Sequence, residues 1–109
     1  MVPIKTAVDG LHSFAVNDVI PLMPNSPKKF AAYMVAGSLK TNPEFLLKPY
    51  EGLLKMTGII SGDGASVDET RVSAALAEAF ANMPALDFLG FTFTADDASK
   101  LVDRITKGA

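Results

Sequence analysis

The chain has no cysteine, no tryptophan and a single histidine among its 109 residues. Without cysteine there can be no disulfide staple, no thiolate nucleophile and no cysteine zinc site, which fits a reducing compartment such as the cytoplasm. Charge of one sign is also scarce: ten basic residues against twelve acidic ones leave a net charge of −2. Generic binding to a phosphate backbone needs a basic balance, so that function class loses ground. Long apolar runs are missing too. The most apolar interval, Phe30 to Leu39, is about half of the ~20 residues that a membrane-spanning helix requires. The opening Met1-Val2-Pro3-Ile4-Lys5-Thr6 lacks a basic stretch followed by an apolar run, and Asp9 interrupts the next one. No secretion signal is expected from it.

What is present is apolar material: 49% of the residues are hydrophobic. A chain of this length makes one domain, and such a composition fills one core with surface left for a partner. Charge is mildly uneven along the chain. Six basic and four acidic residues fall in 1–55, and four basic and eight acidic in 56–109, a small asymmetry that would suit head-to-tail contacts but reads first as ordinary surface charge.

Val8, Leu11, Ala15, Val19 and Leu22 recur at helical spacing and predict a first helix. Pro21, Pro24 and Pro27 remove backbone donors and turn the chain. Ser26 is placed to cap a second helix with Pro27 at its first position. Its expected apolar face is Phe30, Ala31, Met34, Val35 and Leu39, ending near Lys40. Asn42-Pro43-Glu44 repeats the start signal. The third helix keeps Leu46, Leu47, Tyr50, Leu53 and Leu54 in register across Pro49, which predicts a kink, and Gly58 closes it in a left-handed conformation.

Between Ile59 and Val67 two short β-capable runs flank Asp63-Gly64, a tight hairpin signal. Asp68 then caps a fourth helix with Val72, Leu76, Ala79, Phe80 and Met83 on one face and Ala74, Ala75, Ala77 and Ala81 as a small-residue surface. Asn82-Met83-Pro84 stops it. Phe88 to Thr94, with its Phe91-Thr92-Phe93-Thr94 alternation after Gly90, is the best strand signal. Its expected partner is the hairpin at 59–67. Thr94 and Asp97 have capping-box spacing. The last helix puts Ala98, Leu101, Val102 and Ile105 on one face, with Asp96/Lys100 and Asp103/Lys107 spaced to pair.

The order Gly58-Ile59-Ile60, Asp63-Gly64, Val67-Asp68, an Ala-rich helix ending Phe80-Ala81-Asn82, a Phe-rich strand and Thr94-Ala95-Asp96-Asp97-Ala98-Ser99-Lys100-Leu101 resembles small uncharacterised proteins of prophage and mobile-element regions in Gram-positive bacteria. It covers residues 58–105. The resemblance implies a role in assembly or adaptor contacts and brings no catalytic residue with it.

Candidate chemistry is thin. Asp9, His12 and Ser13 invite a Ser-His-Asp reading, yet triad members converge from different elements and need an oxyanion site, and no Gly-x-Ser-x-Gly elbow accompanies them. His12 therefore reads as a solvated or locally bonded helix position. Ser61-Gly62-Asp63-Gly64 lacks the Gly-Lys-Ser/Thr end of a P-loop. As a calcium loop, with Gly64 sixth, it would put Ile59 first, Ser61 third and Thr70 twelfth, leaving only Asp63 as a good ligand. Asp68/Glu69 and Asp96/Asp97 sit where helices begin and read as caps, not as an acid and a base. Lys28, Lys29, Lys40, Lys48 and Lys55 could form a basic face, but no aromatic interleaving accompanies them.

The sequence thus predicts a single mainly α (α+β) domain over 1–109: about five helices, with a small antiparallel sheet (hairpin near 59–67, strand near 88–94) before the C-terminal helix. No catalytic, cofactor-binding or metal residue is assigned. The expected function is a non-enzymatic, self-associating interaction or assembly module, possible phage relation included, in the cytoplasm. Its partner is itself or another protein, with nucleic acid disfavoured and no membrane. The alternative is a small DNA-binding or regulatory domain of winged-helix type, although here the hairpin precedes two helices.

Overall fold

Gly10 sets the main packing of the molecule. In the computed structural model, which describes residues 1–83, 85–88 and 91–109, Gly10 lies in a first helix α1 (Ile4–Phe14) against the C-terminal helix α6 (Ala95–Lys107). A Cβ added at Gly10 would overlap the Arg104 carbonyl and come within 2.7 Å of the Ile105 Cα. Only a residue without a side chain lets two backbones approach so closely. Strand β1 (Val2–Pro3) leads into α1 and pairs antiparallel with β2 (Ser66–Val67), Val2 opposite Val67.

Beyond Phe14 the helical path continues but changes pitch. Ala15–Val19 widens into a π turn and Ile20–Leu22 tightens into a 3₁₀ turn. Pro21 explains the change, since it cannot donate to the carbonyl of Asn17 and its ring crowds that carbonyl. The extra residue in the wide turn shifts the inward stripe. Phe14, Ile20 and Met23 are buried, whereas Leu22, expected inside, is 68% exposed.

Helix α2 (Pro27–Thr41) starts after Ser26 as expected, but the Ser26 side chain makes no capping bond. Its buried residue is Ala36, with Ala32 packed beside it, so the helix turns its small residues inward. The expected apolar face is thereby corrected: Phe30, Ala31, Met34 and Val35 point to solvent. Small side chains allow close approach to the 15–22 segment, and larger ones there would hold the helix off. Pro49 breaks the next helix as its ring demands, giving α3 (Pro43–Leu47), a 3₁₀ turn (Lys48–Tyr50) and α4 (Glu51–Met56). Leu54 packs inward; Tyr50 and Leu53 do not. Gly58 follows at φ +78°.

The 59–67 segment folds back on itself. Ile60 bridges Val67 antiparallel, Gly64 has φ +72°, and the Ser61 amide donates to the Ser66 carbonyl at 2.9 Å. Helix α5 (Glu69–Asn82) begins at Asp68, whose carboxylate accepts from the Thr70 and Arg71 amides. Val72, Leu76 and Phe80 turn inward, while Ala79 and Met83 are exposed. Strand β3 (Ala85–Phe88) then pairs antiparallel with β4 (Phe91–Thr94), Ala85 opposite Thr94. The expected pairing of this strand with the 59–67 hairpin is corrected: a partner adjacent in sequence closes a shorter loop, and the hairpin's own strand is taken by β1. Pro84, at the expected helix stop, and Leu89 and Gly90, near the start of the expected 88–94 strand, lie outside the described residues.

Among the described residues two small cores result. One gathers Val2, Ala7, Ile60, Val67 and Ile105; the other Ile20, Met23, Ala36 and Phe91. Phe93 meets Phe14 edge to face at 6.1 Å, a geometry that the ring quadrupole favours, and lies tilted against Phe80 at 5.6 Å. The molecule is mainly helical with small antiparallel strand pairs, the class expected. No helix among the described residues is long and apolar enough to cross a membrane.

Candidate functional site

One concavity is an open groove of about 700 Å³ between the start of α1, the α2–α4 segment and the Asp63-Gly64 turn. Ile4, Val8, Leu47 and Ile60 give it an apolar floor, and lysines and carboxylates alternate around it. Much of that charge is internally paired. Lys5 reaches Asp9 at 3.4 Å and Lys55 reaches Glu51 at 2.7 Å. The hydrogen bond from Lys55, with its positive charge, holds the Glu51 carboxyl below its usual value. Asp63 accepts from the Ser61 hydroxyl at 2.5 Å and the Ala65 amide at 3.0 Å, and these bonds, Ser61 first, lower its pKa. Both groups are thus held as carboxylates, already engaged, and neither is poised to donate a proton as a general acid.

The residues that invited a triad do not converge. His12 lies half-buried in the last turn of α1. Asp9 is engaged by Lys5, and the Ser13 hydroxyl accepts from Arg104 at 2.9 Å and from Asn17 at 3.1 Å. Ser13 serves instead in an anchor that sequence reading missed. Arg104 grips Asp18 through Nε at 2.8 Å and Nη2 at 3.2 Å, and Nη1 also donates to the Ala109 carbonyl at 3.1 Å. A bidentate arginine of this kind fixes geometry as well as charge. It ties the π turn to α6, and 86 residues of separation leave no local signal for it.

The carboxylate pairs behave as helix starts. Asp68 caps α5, and the Thr70 hydroxyl at 2.5 Å is the leading cause of its lowered pKa, followed by amide bonds from Arg71 and Thr70. Thr94 and Asp97 form the reciprocal capping box: the Asp97 amide donates to Thr94 Oγ1 at 3.4 Å and the Thr94 amide to Asp97 Oδ2 at 3.0 Å. Of the two spaced ion pairs on α6, Asp103 and Lys107 meet at 3.1 Å. Among the described residues no three His, Asp or Glu side chains gather as a metal site.

Apolar exposure is the surface's main feature. On α2, Phe30 is 69% exposed and Met34 61%, with Tyr33 and Val35 beside them. On α3, α4 and the turn between them, Phe45, Tyr50, Leu53 and Met56 are exposed as well. Five lysines against two glutamates give residues 27–56 a net charge of +3. A signal for this surface was present in the sequence: α2 is apolar nearly all round, the pattern of a helix that belongs in an interior. A second concavity of about 170 Å³ lies between α5 and α6, lined chiefly by apolar side chains, Leu76, Phe80, Ala98 and Val102 among them. The outer surface of α5 carries Arg71 with Glu78 and alanines, a poor match to a phosphate backbone. No protein-family model, curated protein or solved structure matches this chain.

Proposed function

We propose that this protein is a non-enzymatic interaction or assembly module that associates with itself through the exposed apolar surface of residues 27–56. The observation that carries the reading is α2, which leaves Phe30, Tyr33, Met34 and Val35 in water while burying Ala36. Exposed side chains of this size present on the order of 100 Å² each. Eight of them on α2–α4 approach the ~800 Å² per partner that a standard interface buries. Apolar exposure of that extent marks interaction sites more often than free surface. Asp9, Glu51 and Asp63 of the groove and Asp68 and Asp97 at the helix starts are engaged in pairing, turn bonding and capping, which favours a binding role over catalysis. The resemblance of residues 58–105 to prophage proteins leans the same way, toward assembly in a phage-related setting within the cytoplasm.

The test is the solution mass across a concentration series, by light scattering coupled to size exclusion, at low and moderate salt. A mass above that of the monomer, rising with concentration, is expected. A strict monomer throughout would overturn the proposal.

A further inference from the structure

We propose that this self-association is head-to-tail, with Phe30 of one copy seated in the apolar pocket between α5 and α6 of the next. The inference rests on the self-associating reading above and adds the partner surface. The pocket holds about 170 Å³, and a cavity of roughly 150 Å³ lined by apolar side chains takes a benzene ring. A phenyl side chain is therefore the right size for it. Phe30 is 69% exposed, so it does not fill its own copy's pocket. Knob and pocket are carried by different elements, and such a contact is heterologous, giving rings or open chains instead of a closed two-fold pair.

Charge selects the same arrangement. Lys28 and Lys29 precede Phe30 in the first turn of α2. On the larger scale, 27–56 carries +3, and four basic against eight acidic residues give 57–109 a charge of −4. A two-fold contact of 27–56 with itself would bring two segments of net charge +3 together, whereas head-to-tail stacking sets that segment against one of opposite net sign. Complementary patches of this kind choose partner and register.

The experiment uses two variants of the full chain, Phe30→Asp and Ala77→Arg, alone and mixed. Both positions are exposed, so the thermal transition of each variant should match the parent's, and Phe30→Ala is a milder second knob variant. Each variant alone should assemble at least about tenfold more weakly than the parent, the loss typical of a central anchor. Mixed one to one, they should form a complex of twice the monomer mass that grows no further, because one retains the pocket and the other the knob. An Ala77→Arg chain that assembles like the parent would overturn the head-to-tail contact while leaving self-association standing. A monomeric parent would sink both, including one that sediments with phosphatidylcholine/phosphatidylserine vesicles, an outcome that would assign the basic apolar surface to an anionic membrane.

Discussion

Gly10→Ala offers the sharpest test of how the two principal helices meet. Considered as an isolated helix position, the substitution should stabilise, since alanine is favoured over glycine by ~1 kcal/mol in a helix interior. Here the new Cβ would fall on the Arg104 carbonyl and 2.7 Å from the Ile105 Cα, all backbone atoms that cannot rotate away. Overpacking costs about 1–3 kcal/mol where side chains can yield, and rigid contacts belong at or above the top of that range. Separating α1 from α6 would also stretch the Arg104–Asp18 grip, now 2.8 Å at Nε. The expected net destabilisation is about 2 kcal/mol, which lowers the thermal midpoint of a chain this size by roughly 8–16 °C. Thermal and urea unfolding followed by far-UV circular dichroism would measure it. An unchanged or raised midpoint would refute the close approach, because the helix-propensity gain would then have gone unopposed.

Arg104→Ala should destabilise by about 1–3 kcal/mol, because the partly buried Asp18 carboxyl would lose its bidentate partner; urea midpoints would show it, and Arg104→Lys should recover only part for lack of the bidentate fork. Thr94→Ala removes the capping box of α6 and should cost about 1 kcal/mol, read by the same denaturation series, with a neutral result counting against the cap. Asp68, Asp63 and Glu51 have folded pKa values below their ordinary 3.8 and 4.5. Their contribution is therefore fully present above that range and is lost as pH falls through it toward the folded values. Asp68→Asn should lower the thermal midpoint near neutral pH, and the gap to the parent should close progressively as pH falls below 3.8. A gap that stays constant with pH would exclude the capping charge as its source.

Features read correctly from the sequence are those whose chemistry is local. Thr94 with Asp97, Asp68 ahead of α5, the kink at Pro49 and the left-handed Gly58 each need only a few neighbouring residues to be specified. Long-range partners carry no such mark. The pairing of Val2 with Val67 and the grip of Arg104 on Asp18 depend on elements that meet only after the chain has folded. Pro21 was legible as a breaker, but its effect was a wider turn and a shifted stripe, so Phe14, Ile20 and Met23 took the inward positions. On α2 the difficulty was different: apolar residues occupy nearly every direction, and periodicity cannot choose a side. Packing chose Ala32 and Ala36 because the neighbouring segment lies close. The exposed surface was thus foreseeable as an excess of apolar residues, but not as a location.

That choice separates stability from assembly, and the separation can be measured. Ile20 is 2% exposed and sits at the centre of one core. Ile20→Ala should therefore cost about 2–5 kcal/mol through lost burial and the cavity left behind. Met34, one turn beyond Phe30 on the outer side of α2, is 61% exposed. Met34→Gln should change monomer stability by no more than about 0.5 kcal/mol while weakening self-association. Unfolding at a dilution where the chain is monomeric would give the first quantity, and light scattering at higher concentration the second. If Met34→Gln instead lowered the monomer's midpoint as Ile20→Ala does, the outer side of α2 would be part of the fold, and the case for a partner there would lose its footing.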